Sequence, residues 1–394
     1  MTEHYSYYRR ALEGVSLPAA LVDLERFEAN LDAMLARAGD LPIRIASKSV
    51  RCPALLRHAL GHHERVRGLL CFHMREACEL AGQGFDDLVV AYPSLQPEDI
   101  RAVCRKLREG HRITLMVDSR LHVERIGAIA REEGAEVPLC LEVDLSLRLP
   151  GLNFGVYRSP VRTVEDALEV HAATREQEGV HLEGVMGYEA QIAGLGDRLP
   201  GARLKSAAIR ALKRISVPRL QYRRQQVVEA LREAGAELRF VNGGGTGSLE
   251  STREDASVTE VAAGSGLYSP LLFDYYDRFH HAPAALFALE VVRSPDSGHV
   301  TCLGGGYIAS GVPGPERSPA PVYPEGLALD PNEGAGEVQT PLTGPALPAP
   351  GEPVFFRHAK AGELCEHFNE LHLVRGGTVE RIEKTYRGLG WQFV

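Results

Sequence analysis

The sequence predicts an α/β fold, a (β/α)8 TIM-type barrel followed by a β-rich C-terminal domain. Between residues 43 and 263, short runs that are apolar on both faces alternate eight times with amphipathic helical patterns. Such runs are strands covered by helices on both sides, which makes the sheet parallel. Eight strand–helix units over about 220 residues suffice to close that sheet into a barrel. After Tyr268 the helical period gives way to alternating runs and to turns rich in proline and glycine. The open doubly wound alternative would carry GxGxxG after its first strand, and no such motif stands there.

Composition excludes several classes of function. The 394 residues leave room for two domains, and 44% hydrophobic with 24% charged residues is the balance of a soluble globular protein. A formal charge of -8 and a pI near 6.0 argue against a nucleic-acid partner. The basic run from Arg198 to Arg224 is interleaved with apolar residues at helical spacing, as a solvated helix face is. No apolar run follows the first arginines, so no signal peptide is expected, and no stretch reaches the roughly 18 apolar residues of a membrane span. Seven scattered cysteines, an odd number, read as reduced thiols of a cytoplasmic protein.

Residues 1 to 18 are aromatic and arginine-rich, with no helical period. Ala19 to Val22 form a short strand, and Asp23 caps a helix with the apolar stripe Leu24, Phe27, Leu31 and Met34, which Gly39-Asp40 stops. The barrel strands are 43 to 47, Gly68 to Phe72, Leu88 to Tyr92, Ile113 to Asp118, Pro138 to Leu145, Leu182 to Tyr188, Leu238 to Asn242 and Val261 to Ala263. Helical patterns between them include Cys52 to Leu60, Arg75 to Ala81, Glu98 to Arg108, Leu121 to Glu133, Val164 to Glu178 and Arg223 to Ala234. Two loops exceed what a minimal unit needs and are expected over the barrel mouth: Leu145 to Pro160, and Ala190 to Pro218 with an extra basic helix. Beyond the barrel, Ala285 to Val292 and His299 to Ala309 read as a strand pair joined by Ser294 to Gly298. Short strands and loops fill Val312 to Pro353, and Leu371 to Val374, Thr378 to Thr385 and Gly390 to Val394 read as closing strands. The expected division is a barrel domain at 23 to 268 and a β-rich domain at 1 to 22 plus 269 to 394, with the strand at 19 to 22 pairing into the latter.

A barrel of this kind works at the C-terminal ends of its strands and often binds phosphate with the loops after strands seven and eight. Strand seven runs into Asn242-Gly243-Gly244-Gly245-Thr246-Gly247-Ser248, and strand eight into Gly264-Ser265-Gly266-Leu267-Tyr268. Both loops are glycine-rich and carry hydroxyls, so backbone N–H groups can converge on an anion while Thr246, Ser248 and Ser265 donate side-chain bonds. Lys48 closes strand one, the neighbour of strand eight in a closed barrel. Partial burial there favours the neutral amine, which can form a Schiff base with an aldehyde. A Schiff-base lysine beside a phosphate cup is what pyridoxal 5'-phosphate requires. His73 after strand two and Tyr92 after strand three also face the mouth.

Ser47-Lys48-Ser49 after strand one, Glu142-Val143-Asp144 with Arg148 after strand five, Gly187-Tyr188 after strand six and the two glycine loops together resemble the fold-type III pyridoxal-phosphate enzymes, which include alanine racemase. The chain is similar in particular to the D-threonine aldolase and D-serine dehydratase branch, also called amino acid deaminase/aldolase, over nearly its whole length. The resemblance implies that Lys48 holds the cofactor, that Arg148 and Tyr188 line the ring and substrate pocket, and that Asn242, Gly244, Gly245, Thr246, Gly264, Ser265, Gly266 and Tyr268 form the cofactor cup. It also implies a homodimer.

That branch binds a divalent ion near its C-terminus through a histidine and a cysteine or aspartate two residues apart. With the family's histidine placed at His358, Lys360 stands where the second ligand belongs; alignment on Cys365 instead puts Glu363 in the histidine's place. His358, Glu363, Cys365 and His367 are all ligand types for zinc or manganese. An alternative is that Lys360 supplies the positive charge in place of a metal.

These readings lead to an expected lyase acting on a small β-hydroxy D-amino acid through a Lys48 Schiff base. It would either cleave Cα–Cβ to give glycine and an aldehyde, or dehydrate the substrate to a keto acid and ammonia. His358 is expected beside Lys48, Tyr188 and Arg148 in the catalytic set. The competing readings are an amino-acid racemase, a non-catalytic cofactor-binding protein, and a cofactor-free barrel aldolase using Lys48 directly on a carbonyl.

Overall fold

The computed structural model describes residues 3–394. The chain divides into two compact units. One is formed by Met34–Lys48, His58–Gly264 and Phe393–Val394, the other by the chain up to Ala33, Ser49–Arg57 and Ser265–Gln392.

The first unit is the barrel. Its strands are Ile43–Ala46, Val66–Cys71, Leu88–Val90, Ile113–Val117, Val137–Glu142, Val180–Gly187, Phe240–Gly243 and Glu260–Ala263, numbered one to eight here. All neighbours are parallel, and the ring closes where Val261 pairs with Ile43 and Ala263 with Ile45. Val89, Ala91, Met116, Cys140, Met186 and Phe240 pack together as a buried cluster, so the interior is a filled core.

Charge is also buried inside the barrel. The Arg44 guanidinium, almost wholly enclosed, donates to Glu260 at 2.7 and 2.9 Å and to the Asp87 carbonyl at 2.6 Å. Gly68 makes room for it. Its φ is +64°, and a Cβ there would lie 2.5 Å from the Asp87 carbonyl oxygen, closer than a side chain allows.

Local sequence explains the helix boundaries. Thr163 and Asp166 form a capping box at the start of Val164–Glu176, and Ser119 caps Arg120–Glu133, which Gly134 ends in the left-handed conformation. One expectation needs correction. The extra basic helix and the pattern at Arg223 to Ala234 are a single helix, Arg203–Glu233, with Pro218 inside it. Proline removes one backbone donor, while buried Ile209, Leu220, Val227 and Leu231 continue the packed face on both sides.

The second unit is β-rich. Its path runs Ala328–Leu329, Gln339–Thr343, His299–Leu303, Ala285–Asp296, Ala19–Asp23, Glu370–Arg375, Thr378–Lys384. Pro353–Arg357 joins the path strand Ala285–Asp296 and carries Ala320–Tyr323 on its other side. Ala19–Asp23 pairs antiparallel with Ala285–Asp296 and parallel with Glu370–Arg375.

Three further expectations differ. Glu3–Ala11 is a helix, because Tyr5, Tyr8 and Leu12 recur at three and four residues and bury against Leu21, Leu286 and Phe355; Met1 and Thr2 lie outside the described residues. The strand expected to reach Ala309 stops at Leu303, where Gly304 and Gly305 take positive φ. Gly390 to Val394 is not a strand. The Phe393 ring packs 6.0 Å from Phe72 and 6.2 Å from His73, so the end of the chain is held by ring contacts and not by sheet pairing. All seven cysteines are unpaired, and no helix among the described residues is long and apolar enough to cross a membrane.

Candidate active site

Strand one ends in a single 3-10 turn, Ser47–Ser49. The buried Ser47 hydroxyl donates to the Leu70 carbonyl of strand two at 3.1 Å, which pins the turn and leaves the Lys48 side chain at the strand tip. Lys48 is exposed, not half-buried as expected, and its Nζ donates to the Tyr92 hydroxyl at 2.7 Å. Tyr92 follows strand three. Burial pushes its hydroxyl pKa up, but Lys48 and then Arg158 outweigh that and hold it below the ordinary tyrosine value.

Tyr188 follows strand six, and burial raises its pKa. Between the two tyrosines stands Arg158, 5.5 Å from the Tyr92 ring centre and 5.1 Å from that of Tyr188. Sequence reasoning missed this residue. The signal was present, because the loop from Leu145 to Pro160 is expected over the mouth, but the family resemblance points to its other arginine. Arg148 instead reaches Asp144 at 3.4 Å and lines a cavity with Arg162, Arg219 and Arg223. Glu142, at the end of strand five, is pushed up to about 7 by burial, with Asp118 and Asp144 adding to the shift and Arg158 opposing it.

The loop after strand seven is shaped by its glycines. Gly244 has φ +82°, and a Cβ on Gly245 would lie 2.7 Å from the Ala193 Cβ and 3.2 Å from the Tyr188 ring. Two polar side chains of this loop, Asn242 and Ser248, are engaged elsewhere. Asn242 donates to Glu260 at 2.8 Å, and the Ser248 hydroxyl to Glu189 at 2.8 Å. The Thr246 carbonyl accepts from Arg37 at 2.7 Å. The N–H groups of Gly244, Gly245 and Gly247 donate to no group among the described residues. After strand eight, Gly264 leads into the turn Ser265–Tyr268. The Ser265 hydroxyl lies 3.0 Å from that of Ser49, Gly266 is buried, and the Tyr268 hydroxyl donates to the Val50 carbonyl at 2.8 Å.

An amine at the tip of strand one, a tyrosine–arginine pair beside it and unsatisfied backbone donors after strand seven form a donor set that fits pyridoxal 5'-phosphate. The amine suits its aldehyde, the N–H groups its phosphate. His73 is not part of this set, because its ring caps Met74–Gly82 by accepting from the Arg75 N–H.

The expected metal ligands do not converge. His358 is buried with neither ring nitrogen hydrogen-bonded, and burial drives its pKa down to about 3. Glu363 accepts from the Ser310 N–H at 2.8 Å and pairs with Lys360 at 2.8 Å. The Cys365 thiol donates to the Val50 carbonyl at 3.2 Å, and His367 stacks on Tyr307 at 4.3 Å. Among the described residues no three His, Cys, Asp or Glu side chains are grouped to hold a metal ion. These donors, with the Lys360 ammonium already on Glu363, do not fit one.

Comparison with known proteins follows the same lines. The family model "Alanine racemase, N-terminal domain" matches residues 22–271. A D-threonine aldolase of Arthrobacter sp is 27% identical over 94% of this chain and 92% of its own length. A 3-hydroxy-D-aspartate aldolase of Paracoccus denitrificans is 26% identical over 76% of this chain and 74% of its own. Among solved structures, a D-threonine aldolase from Filomicrobium marinum superposes with a TM-score of 0.79 at 21% identity, covering 96% of each chain. A D-threo-3-hydroxyaspartate dehydratase from Delftia sp. HT23 gives 0.75 at 20% identity over 95% of this chain and 98% of that one. A mutant of that dehydratase is described in a metal-free form. The filled parallel barrel, the lysine at the tip of strand one and the match over residues 22–271 lead to one conclusion: the chain belongs to the alanine racemase N-terminal-domain family, a pyridoxal 5'-phosphate-dependent family.

Proposed function

We infer that this chain is a pyridoxal-phosphate-dependent lyase acting on a small β-hydroxy D-amino acid, with Lys48 as the residue that carries the cofactor. The observation that supports this most directly is the Lys48 amine, 2.7 Å from the Tyr92 hydroxyl at the tip of strand one. The relatives named as aldolases and dehydratases of β-hydroxy D-amino acids support the substrate class. The cofactor, when bound, supplies an electron sink for the pair released at Cα.

The protein's own groups have distinct tasks in this reading. Lys48 would hold the cofactor through its aldehyde, and its amine can take up or release a proton beside the substrate. Tyr92 receives the Lys48 hydrogen bond and keeps the amine aimed into the mouth. Arg158, stacked between Tyr92 and Tyr188, offers a fixed positive charge to an anionic oxygen. Glu142 titrates near 7 and can therefore exchange a proton near neutral pH. Gly244, Gly245 and Gly247, whose N–H groups donate to no group among the described residues, would supply the donors for phosphate.

The test is an absorption spectrum of the purified protein and of Lys48→Ala, with and without borohydride. A band at about 410 to 430 nm that borohydride abolishes and the variant lacks is the expected result; no band after cofactor addition overturns the reading. Product analysis with D-threonine and D-serine then separates carbon–carbon cleavage, which yields glycine, from dehydration, which yields ammonia and a keto acid.

The same reading places the enzyme in the cytoplasm as a homodimer with small-molecule substrates and no nucleic-acid or membrane partner. The seven unpaired cysteines and the net charge of -8 support it. Light scattering after size exclusion tests the dimer.

A further inference from the structure

Helix Arg203–Glu233 presents Ser216, Arg219, Leu220 and Arg223 on one face, since their spacing of three and four residues brings them into line. That face meets the turn at Ser146 to Arg148 and the side chain of Arg162 around a cavity of about 120 Å3. Four guanidinium groups line it, those of Arg148, Arg162, Arg219 and Arg223.

A single carboxylate faces them. Asp144 pairs with Arg162 and, at 3.4 Å, with Arg148. Arg223 donates to the Asp144 carbonyl at 2.7 Å and to the Ser146 carbonyl at 3.2 Å, contacts that fix its position without cancelling its charge. Arg219 has no ion pair among the described residues. The nearby Asp166 is committed to the cap of Val164–Glu176, where it accepts from the Arg162 and Thr163 N–H groups. The cavity thus carries an excess of three positive charges. Burial and the neighbouring Arg162 and Arg148 charges together disfavour the cationic form of Arg223.

Holding four guanidinium groups around one carboxylate costs free energy that an anion of two or more charges would recover. Guanidinium forks match oxygen pairs on phosphate or carboxylate. The volume suits one small oxyanion with a water or two.

We propose that this cavity is a binding site for a small multivalent oxyanion, a phosphate group or a dicarboxylate, separate from the cofactor cup after strand seven. The proposal does not depend on Lys48. The experiment is calorimetric titration of the full chain, kept saturated with pyridoxal 5'-phosphate, with inorganic phosphate and in a second arm with succinate, at constant ionic strength set with chloride. Saturable binding of either is expected, weakened about tenfold or more in Arg219→Ala and partly restored in Arg219→Lys. The stronger of the two arms identifies the ligand class. Arg219 is exposed, so its replacement leaves the fold intact, and an unchanged cofactor absorption spectrum and melting temperature check this. Absence of saturable binding in both arms overturns the proposal. So does binding that Arg219→Ala leaves unchanged, which would place the anion outside this cavity.

Discussion

The guanidinium of Arg158 stands 5.1 Å from the centre of the Tyr188 ring, bringing the loop after strand five onto the residue that closes strand six. An aromatic face offsets part of the cost of removing a cation from water. Arg158 itself remains exposed, and the two rings hold its charge beside Tyr92 and near enough to Glu142 to lower that carboxyl's pKa.

Replacing Arg158 by Met keeps much of its length and removes its charge. We expect kcat/KM to fall about tenfold to a hundredfold, the size of a lost charge-assisted hydrogen bond to an anionic oxygen. Because Arg158 lowers the Glu142 pKa, the same variant should move any Glu142-controlled limb of the pH–rate profile to higher pH. Steady-state kinetics across pH check both. An unaltered profile would remove Glu142 from the mechanism.

Glu142 also makes stability depend on pH. Its folded pKa of about 7 stands above the ordinary 4.5, so the folded state binds more protons than the unfolded state between these values. The associated stability is fully present below the unfolded pKa and lost as pH rises through the folded one. Glu142→Gln should therefore stabilise the protein at about pH 8 by at most about 3 kcal/mol, and by little or nothing near pH 4. Denaturant melts of the two proteins at both ends of this window give the answer.

Arg44 predicts a large loss. Arg44→Met would leave Glu260 and Asp87 without the buried cation that faces them, at a cost of about 3 to 5 kcal/mol. Gly68→Ala should cost a comparable amount, because a methyl there meets the Asp87 carbonyl and the Arg44 side chain in a left-handed backbone. Urea titration measures both, and a change under about 1 kcal/mol for either would contradict this account of the barrel core.

The loop at 358–367 predicts indifference to chelators. Dialysis against EDTA should leave activity with a β-hydroxy D-amino acid unchanged, since His358, Glu363, Cys365 and His367 have separate partners or none. Metal analysis of the purified protein should find well below one equivalent. Lys360→Cys, which places a thiolate two residues from the unpartnered His358, should raise zinc content. Loss of activity on chelation that zinc or manganese restores would show that the loop rearranges around an ion.

The barrel was legible in the sequence because a strand buried on both faces leaves a mark that needs no partner to be read. Runs such as Ile113–Val117 and Val137–Glu142 are buried throughout and apolar but for Thr114 and Glu142, and eight of them can bury both faces only in a closed parallel sheet. Lys48 and the glycine loops were legible for a related reason, since strand order places strand one beside strand eight before any side chain is considered. Helix Glu3–Ala11 shows the limit of that reading. Its Tyr5 and Tyr8 have helical spacing among charged and polar neighbours, and only burial against Leu286 and Phe355 shows them to be core.

Tertiary structure alone decided which arginine of the 145–160 loop meets the tyrosines. Arg148 and Arg158 carry the same charge on the same loop, and nothing local distinguishes them; the hairpin of Leu147–Leu149 with Leu152–Phe154 sends the first toward Asp144 and the second to Tyr92 and Tyr188. It decided the ligand question in the same way. His358, Glu363, Cys365 and His367 are close in sequence, but coordination needs their donor atoms to converge, and convergence depends on how Ser310, Lys360, Tyr307 and Val50 pack around them. Periodicity is a local property of a chain and is written in its sequence, whereas the meeting of side chains from distant segments is a property of the packed core.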